Sequence, residues 1–231
     1  MRIDVLTVFP EEFAALDSGV VGRALQKGVF EVNVVNIRDY SADKHRRTDD
    51  YPFGGGAGMV MTPQPIYDAI QAVDPERKAR RIYMSPRGRT FDHELSLELA
   101  REERILLLCG SYEGVDERVL ELCIDEELSI GDYVLTGGEL AAMVVINALS
   151  RHIDGVLGCS ESDEDESFAD GLLEYPQYTR PSTFMGKEVP EVLLNGHHAK
   201  INAWRMEKSL ELTKERRPDL YEKYLKKKDE K

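Results

Sequence analysis

Short runs of apolar residues alternate with segments of helical periodicity along the first two thirds of this chain. Ile3–Phe9 predicts a buried first strand, and Val32–Ile37 predicts a second. Arg81–Met84 and Arg104–Cys109 follow as further strands. The latter, RILLLC, is continuously apolar after its arginine, which is typical of a parallel strand covered on both faces. This pattern predicts an α/β domain with a mostly parallel sheet.

The segments between these strands carry helix-start signals or helical periodicity. Pro10 is favoured at the first position of a helix, where its missing N–H costs nothing. Further helices are predicted over Gly22–Lys27, Pro65–Val73, Phe91–Arg101 and Asp116–Cys123. The elements therefore follow one another as repeated strand–helix units.

The stretch EELSIGDYVLTGGELAAM, Glu126–Met143, is rich in glycine and lies at the centre of this pattern. It predicts two short strands, Leu128–Ile130 and Tyr133–Leu135, and a helix that begins at Glu139 and continues to Ser150. Its spacing matches neither GxGxxG nor GxxxxGK[ST], so it does not indicate a phosphate site. Taken alone, the spacing favours an ordinary strand–turn–helix corner.

Three loops follow strand ends in this arrangement: one after Met84, one after Cys109 and one around Gly131–Gly138. Open α/β sheets bind their ligands at the carboxyl edge of the strands, so these loops are the candidate ligand site. Their glycines allow the backbone to turn sharply and to lie close to a flat ligand, which a side chain would obstruct.

Tyrosines stand beside each of these turns and suit an adenine-like ring. They are Tyr83, Tyr112 and Tyr133, and the backbone groups of Gly110 and Leu135 are available to read the edge of such a ring. The same tyrosines are equally compatible with core packing, so both interpretations stay open on this pattern alone.

The segment Arg38–Thr62 has no hydrophobic period and contains DKHRRTDDYPFGGGAGM. A loop of this length inside a compact domain is usually functional or disordered. Its glycines favour close approach of the backbone to another group, while simple mobility explains the segment equally well.

The last third of the chain changes character. Ser160–Ser167, SESDEDES, is acidic and without period, which is typical of a linker. Beyond it, an amphipathic helix is predicted over Ala199–Leu212 and a last helix after Pro218. The predicted organisation is a cofactor-binding domain over residues 1–159, a linker over 160–167 and a small, mainly helical domain over 168–231.

The formal net charge of −13 argues against a nucleic-acid-binding protein if it is taken at face value. The charge is clustered, however. Basic residues gather in Arg38–Arg47 and Arg77–Arg89, whereas Glu113–Glu127 and Glu161–Glu166 are strongly acidic. A polyanion could use the basic clusters, but charge alone disfavours nucleic acid.

The three cysteines, Cys109, Cys123 and Cys159, have no paired spacing, which favours reduced thiols over a zinc site or a disulfide framework. No apolar run has the length of a signal h-region or of a membrane span, so a cytoplasmic protein is expected. The motifs HExxH, CxxC, GxSxG and Walker A are missing from the sequence, and no metal site is predicted.

Five long motifs resemble those of the bacterial tRNA (guanine-N1)-methyltransferase family. They are RDYSADKHRRTDDYPFGGGAGMVM, GSYEGVDERV, IDEELSIGDYVLTGGELAAM, LLEYPQYTRP and VLLNGHHAKINAWR, and they occur in order over nearly the whole chain. The resemblance implies methylation of guanosine 37, next to the anticodon of tRNA. It also implies the SPOUT class of α/β fold, in which the three loops form a deep trefoil knot around S-adenosyl-L-methionine, and a homodimer with shared active sites.

Carried over position by position, the resemblance assigns the methyl donor to three sets of residues. The first set is Tyr83, Met84, Ser85 and Pro86, the second is Gly110, Tyr112, Glu113 and Gly114, and the third is Ile130, Gly131, Asp132, Tyr133, Val134 and Leu135 with Gly137 and Gly138.

The reaction itself requires a general base, because guanine N1 is a poor nucleophile until its proton is removed. Negative charge then spreads to O6, where a fixed cation would stabilise it. The family resemblance implies an arginine at the end of the preceding helix, which is Arg151 here. It also implies a linker carboxylate, which falls on Glu166, where many family members have Asp, and the neighbouring Asp165 is the alternative.

The resemblance further implies that Arg38–Thr62 and the small domain grip the anticodon arm, with Arg46, Arg180 and Lys200 as candidate phosphate contacts. The resemblance leaves open whether the methyl transfer needs Mg²⁺. Two other functions are weighed against the leading one. A non-catalytic RNA-binding or cofactor-sensing protein of the same fold is favoured only by Glu in place of Asp, and methylation of a ribose hydroxyl is disfavoured by the long C-terminal domain.

Overall fold

The structure is a computed structural model that describes residues 1–157 and 166–229. The chain divides into two compact units, Met1–Gly158 and Cys159–Lys231. The first unit carries the main sheet, and the second is mainly helical. The alternative base Asp165, the third cysteine Cys159 and most of the predicted linker lie outside the described residues.

A parallel sheet forms the centre of the first unit. The strands of this unit are β1 (Arg2–Thr7), β2 (Glu31–Asn36), β3 (Asp49–Asp50), β4 (Val60–Met61), β5 (Arg80–Thr90), β6 (Arg104–Cys109) and β7 (Glu126–Ser129). Five of them lie in the order β2-β1-β6-β5-β7, and each neighbouring pair is parallel. Strands β3 and β4 form a separate antiparallel pair inside the segment that the sequence pattern describes as a loop. The predicted α/β class with a mostly parallel sheet is confirmed.

Helices connect these strands. They are α1 (Gly19–Gln26), α2 (Pro63–Val73), α3 (His93–Leu99), α4 (Glu117–Cys123) and α5 (Glu139–Ser150), with 3-10 turns over Pro10–Asp17 and Ile37–Tyr40. Asp92 and Asp116 cap α3 and α4, because their carboxylates accept the main-chain N–H groups of Leu95 and Arg118. The helix predicted to begin at Pro10 is present as the 3-10 helix Pro10–Asp17.

The core lies on both faces of the sheet, which explains the continuous apolar run of β6. Ile105 and Leu107 pack into a cluster with residues of α1, α3 and α5, whereas Leu106 and Leu108 pack into a second cluster with residues of α2 and α4. Successive side chains of a strand point to opposite faces, so both faces of β6 need apolar residues. The bounds predicted for this strand are confirmed.

Strand β5 is longer than the predicted Arg81–Met84. Leu128 of β7 is paired with both Met84 and Arg89, so the four residues between them, Ser85–Gly88, leave the sheet as a wide bulge and the strand then resumes. An added Cβ on Gly88 would lie 2.3 Å from the main-chain carbon of Glu127, so glycine permits this close return to β7. Ser85–Gly88, where the sequence predicts a loop after the strand, is thus a bulge within β5.

The strand predicted over Tyr133–Leu135 is wrong. These residues belong to no strand or helix, and the Tyr133 amide donates to the carbonyl oxygen of Gly131 at 2.9 Å. Tyr133 and Val134 are 53% and 83% exposed. Apolar residues occur here because they line a cleft and an outer face, so their pattern does not reflect pairing in a sheet.

A buried carboxylate lies near the amino ends of the central strands. Asp4 of β1 is fully buried and accepts hydrogen bonds from Arg2, Asn33 and Arg104. Desolvation alone would raise the pKa of Asp4, but the hydrogen bonds from these three side chains outweigh it and hold the pKa below its ordinary value. This charged cluster is structural and lies at the opposite edge from the three glycine-rich loops.

The second unit is built around two helices. Its elements are β8 (Thr183–Phe184) and β9 (Lys187–Glu188), which form a small antiparallel pair, a 3-10 turn over Glu191–Leu193, and α6 (His198–Arg216) and α7 (Pro218–Asp229). The Leu173 amide donates to the buried hydroxyl of Thr213 at 2.8 Å, and this hydroxyl donates to the Ser209 carbonyl at 2.6 Å. The chain at Leu173 is thereby held against α6, which continues one turn beyond the predicted Ala199–Leu212.

Candidate active site

Three glycine-containing loops border one cleft at the carboxyl edge of the parallel sheet. Loop 1 is the bulge Ser85–Gly88, loop 2 is Gly110–Gly114 after β6, and loop 3 is Ile130–Gly138 between β7 and α5. The cleft encloses about 440 Å³. Its position agrees with the general location of ligand sites in parallel α/β sheets.

Loops 2 and 3 contact each other through glycine main chain. The Gly138 amide donates to the Gly110 carbonyl at 2.9 Å, and Ser111 pairs with Gly137 in an antiparallel bridge. A Cβ added to Gly138 would lie 2.9 Å from the Cα atom of Cys109. Glycine is thus needed here for close approach, as the sequence pattern indicates.

Tyr83 forms part of the floor of the cleft. The residue is buried, and a Cβ added to Gly110 would lie 2.7 Å from its hydroxyl oxygen. Burial raises the pKa of the Tyr83 hydroxyl, and the nearby carboxylate of Glu127 raises it further. The phenol therefore stays neutral at physiological pH and can donate or accept a hydrogen bond.

The rim of the cleft carries an arginine between two carboxylates. Nη2 of Arg87 lies 2.9 Å from Glu127 and 3.3 Å from Glu117. The Glu127 carboxylate raises the pKa of Arg87 despite some desolvation, so the guanidinium stays charged. This charged rim includes Arg87, a cleft residue that the sequence pattern indicates only as part of a turn.

The chain before α2 is hydrogen-bonded onto loop 2. The Glu113 amide donates to the Met59 carbonyl at 2.9 Å, and the Met61 amide donates to the Gly114 carbonyl at 2.9 Å. A Cβ on Gly58 would lie only 2.4 Å from a carboxylate oxygen of Glu113. The glycine-rich part of Arg38–Thr62 therefore approaches the cleft closely.

Glu139 is a buried carboxyl group that the sequence pattern does not single out. It begins α5, is 2% exposed, and accepts a hydrogen bond of 2.6 Å from the Thr7 hydroxyl of β1. Burial raises the pKa of Glu139, although the Thr7 hydrogen bond opposes this effect. The pair attaches the end of loop 3 to the centre of the sheet.

Polar groups in the cleft are suited to binding a ligand. The Ser111 hydroxyl is buried and has no hydrogen-bond partner among the described residues. Cys109, just below loop 2, has its pKa raised well above the ordinary value by burial, so it is a neutral thiol and a poor nucleophile. These features favour binding and orientation over covalent catalysis.

The structure brings together nearly all residues that the resemblance assigns to the methyl donor. The cleft is lined by Tyr83, Met84, Ser85, Pro86, Gly110, Tyr112, Glu113, Gly114, Ile130, Gly131, Tyr133, Val134, Leu135, Gly137 and Gly138. Asp132 is the exception, because it lies in loop 3 without lining the cleft. Val60, Arg87, Ser111 and Thr136 line it in addition.

The proposed catalytic pair comes from different units. Arg151 is the residue that follows α5 in the first unit, and it is partly buried. Glu166 is partly buried in the second unit, where it borders a cavity of about 270 Å³. Asn202 and Arg205 of α6 line the same cavity, and the guanidinium of Arg205 lies 4.7 Å from the ring centre of Tyr175.

The three candidate RNA contacts are solvent-exposed. Arg46 has a side chain that is 68% exposed and forms a 2.9 Å ion pair with Asp39. Arg180 and Lys200 are exposed on the second unit, the latter in the first turn of α6. Exposure is required of a phosphate contact but does not distinguish it from ordinary surface charge.

Neither a membrane-spanning helix nor a metal-binding group is present among the described residues. Within 1–157 and 166–229, no helix combines the length and apolarity that crossing a membrane requires. In the same residues, no three His, Cys, Asp or Glu side chains converge as a metal-binding group.

Comparison with known proteins gives a consistent result. The family described as tRNA (Guanine-1)-methyltransferase TrmD matches residues 1–223. A tRNA (guanine-N(1)-)-methyltransferase of Clostridium botulinum strain Hall is 58% identical over 224 residues, which cover 97% of this chain and 93% of the relative. The Clostridium tetani protein of the same name is 53% identical over 231 residues, with 100% and 96% covered.

Proposed function

Because this chain belongs to the tRNA (guanine-1)-methyltransferase family, we propose that it transfers the methyl group of S-adenosyl-L-methionine to N1 of guanosine 37 in tRNA. The observation that carries the proposal is the family match over residues 1–223, since these include all three loops of the cleft. The enzyme is a methyltransferase, and tRNA is its substrate.

The methyl donor fits the cleft on physical grounds. When bound, S-adenosyl-L-methionine supplies an electrophilic methyl group on a sulfonium. Loops 2 and 3 present main-chain groups and the Ser111 hydroxyl, and the glycines leave space that a Cβ would fill. The neutral Tyr83 on the floor adds an apolar face that suits an adenine ring. The cleft holds the donor while its walls exclude water, which favours in-line transfer.

In this mechanism the chain's own residues prepare guanine for attack. Glu166 removes the proton of N1 as general base, and the resulting charge on O6 is stabilised by the guanidinium of Arg151. Asp165 is the alternative base if Glu166 does not serve. The assignment is supported by the family resemblance and by the partial burial of both Arg151 and Glu166, which strengthens electrostatic interactions.

The loops are proposed to form the trefoil knot of the SPOUT class. The 2.9 Å hydrogen bond between Gly138 and Gly110 and the bridge between Ser111 and Gly137 support this part of the proposal, because they hold the second and third loops in direct contact. A closed arrangement of this type would make the cleft rigid before the donor binds.

A homodimer with shared active sites is part of the proposal. Leu140 and Val144 of α5 are 54% and 47% exposed, and they lie one helical turn apart on the same face. Val134 of loop 3 is a further exposed apolar residue, at 83%. Exposed apolar residues on a helix that begins at the cleft favour a second copy of the chain as the group that covers them.

The RNA partner is proposed to be the anticodon arm, contacted by Arg46, Arg180 and Lys200, and the reaction is proposed to take place in the cytoplasm. A requirement for Mg²⁺ stays open, and no step of the proposed mechanism is assigned to it. The overall charge of −13 makes local basic contacts necessary for binding a polyanion.

Mass spectrometry of tRNA transcripts tests this function directly. Transcripts with guanosine 37 should gain one methyl group in the presence of protein and S-adenosyl-L-methionine, and nuclease mapping should place it on N1 of that base. Matched transcripts with adenosine at this position should stay unmodified. Donor binding without methylation of any transcript would overturn the proposal and support a non-catalytic member of the fold.

A further inference from the structure

The chain leaves α5 through a turn whose main-chain hydrogen bonding is weak at Arg151. The Arg151 amide lies 3.4 Å from the Ala148 carbonyl oxygen, near the upper limit for a hydrogen bond, whereas the His152 amide lies 3.1 Å from the Leu149 carbonyl. A contact that restrains the residue after Arg151 therefore also restrains the main chain from which the Arg151 side chain leaves.

His152 provides a restraint of this kind, because its side chain contacts helix α3. Its Nε2 atom lies 3.0 Å from Oγ of Ser96, and Ser96 is 3% exposed. The same Oγ lies 2.7 Å from the carbonyl oxygen of His93, which can only accept. The single hydroxyl hydrogen of Ser96 therefore points to His93, and Ser96 Oγ accepts a hydrogen bond from His152. It follows that Nε2 of His152 carries a hydrogen atom.

The imidazole rings of His93 and His152 also pack against each other. Their centres are 5.2 Å apart and their planes are at 83°, an edge-to-face arrangement. The hydrogen bond and the ring contact reach His152 from two residues of the first turn of α3. Together they restrict both the position and the rotation of its side chain.

We propose that the Ser96–His152 hydrogen bond is a tether that positions Arg151 for the methyl transfer. The inference rests on the role proposed above for Arg151 and makes Ser96 and His152 positioning residues. The tether acts through the main chain, since it fixes the residue next to Arg151 and so limits the direction in which the guanidinium leaves the turn. An error of about 1 Å in the placement of a catalytic group can reduce the rate by about 100-fold.

The experiment compares four single variants and one double variant of the full-length protein. His152→Phe keeps an aromatic ring and removes the N–H donor, whereas His152→Gln keeps an N–H donor at a similar distance from the main chain. Ser96→Ala removes the acceptor. Ser18→Ala is the control. The Ser18 hydroxyl donates to the Ala15 carbonyl at 3.1 Å on an exposed surface, so this variant loses a serine hydrogen bond to a carbonyl away from His152.

We expect His152→Phe and Ser96→Ala each to lower the single-turnover methylation rate by on the order of 10-fold. The donor Kd and the Tm should stay close to those of the wild type, and His152→Gln should restore the rate to within about 3-fold. The double variant Ser96→Ala with His152→Phe should be no slower than either single variant, because both changes remove the same contact.

Three outcomes would overturn the tether. They are equal losses of rate in His152→Phe and His152→Gln, additive losses in the double variant, and a fall in Tm that accounts for the loss of rate. NMR on ¹⁵N-labelled protein near pH 8 decides its geometry without any activity: long-range correlations should show the Nε2–H tautomer of His152, and the Nδ1–H tautomer would contradict it. A wild-type protein that shows this tautomer but does not methylate tRNA would contradict the proposed function and Arg151 positioning, while leaving the contact itself established.

Discussion

The main-chain N–H of Gly138 donates a 2.9 Å hydrogen bond to the carbonyl oxygen of Gly110, and this contact joins the two loops that form most of the cleft. The φ angle of Gly138 is −82°, which any residue can adopt. Glycine is needed here for space alone, because the neighbouring atoms, Cα and Cβ of Cys109 and the main-chain nitrogen of Gly110, cannot rotate away.

Gly138→Ala should therefore weaken binding of S-adenosyl-L-methionine by at least about 10-fold, because the new methyl group has to displace loop 2. Isothermal titration calorimetry measures the effect. Gly28→Ala is the control, since an added Cβ there meets nothing within 4 Å and strains only a positive φ of 67°. Unchanged donor affinity in Gly138→Ala would show that the loop contact does not shape the donor site.

Glu166→Gln should reduce turnover by about 100-fold or more, because a neutral amide cannot remove the N1 proton. Binding of S-adenosyl-L-methionine should stay within about twofold of the wild type. Glu191→Gln, at an exposed position of the same unit, is the matched control. Full activity in Glu166→Gln would transfer the role to Asp165 or remove it from this segment.

Val144→Asp should convert a dimer into monomers, because a carboxylate would be buried without a partner at the centre of the proposed interface. Val144 is 47% exposed in the single chain, so its replacement should leave the fold intact. Sedimentation velocity measures the oligomeric state, and methylation should be lost together with the dimer. Leu122→Asp, at a residue of α4 that is 66% exposed, is expected to change neither. A dimer that survives Val144→Asp would place the interface elsewhere.

Arg46→Ala should weaken tRNA binding and reduce the slope of log K against log salt by about 0.7 to 0.9, the value for one phosphate contact. Filter binding over a range of salt concentrations measures the slope. Arg118→Ala is closely matched, since Arg118 is 66% exposed and paired with Asp116 at 2.8 Å, as Arg46 is 68% exposed and paired with Asp39 at 2.9 Å. An equal effect of both changes would indicate general electrostatics instead of a contact at Arg46.

Asp4→Asn should lower the free energy of unfolding at neutral pH by about 3 kcal/mol, because three donors lose a buried carboxylate. The pKa of Asp4 is lowered in the folded protein, so its contribution is present above the unfolded value of 3.8 and is lost as pH falls through the folded pKa. Urea unfolding between about pH 5 and pH 3 should be less pH-dependent in Asp4→Asn than in the wild type. Equal pH dependence in the two proteins would show that protonation of Asp4 is not coupled to unfolding.

Local patterns predict the parts of the fold that depend on neighbours in sequence. The run RILLLC identifies β6 with its correct ends, because burial on both faces requires the side chains of Ile105–Cys109 to be apolar. The pattern fails at Tyr133–Leu135, where apolar residues are retained for a cleft and an exposed face. The strand order and the return of β5 after its bulge depend on pairing between distant segments, which periodicity does not encode.

In the site, too, local sequence patterns predict some features, whereas contacts between distant residues have no local signal. Glycines after strand ends indicate the cleft, but the hydrogen bond between Thr7 and Glu139 joins residues 132 positions apart and has no local signal. The docking of Met59 and Met61 on loop 2 is equally non-local. Arg151 and Glu166 are assigned by likeness to a family, since an arginine after a helix and one acid among many are unremarkable in isolation.

The strand order has a consequence for the nascent chain. Strand β1 lies between β2 and β6, and its pairing with β6 joins Arg2 to Arg104. The middle of the sheet can therefore form only after about a hundred further residues have been synthesised. Loop 3 is synthesised later still, after β7. A ribosome-bound fragment that ends before loop 3 should therefore have no affinity for the methyl donor, and the binding site should arise in a single late step of translation.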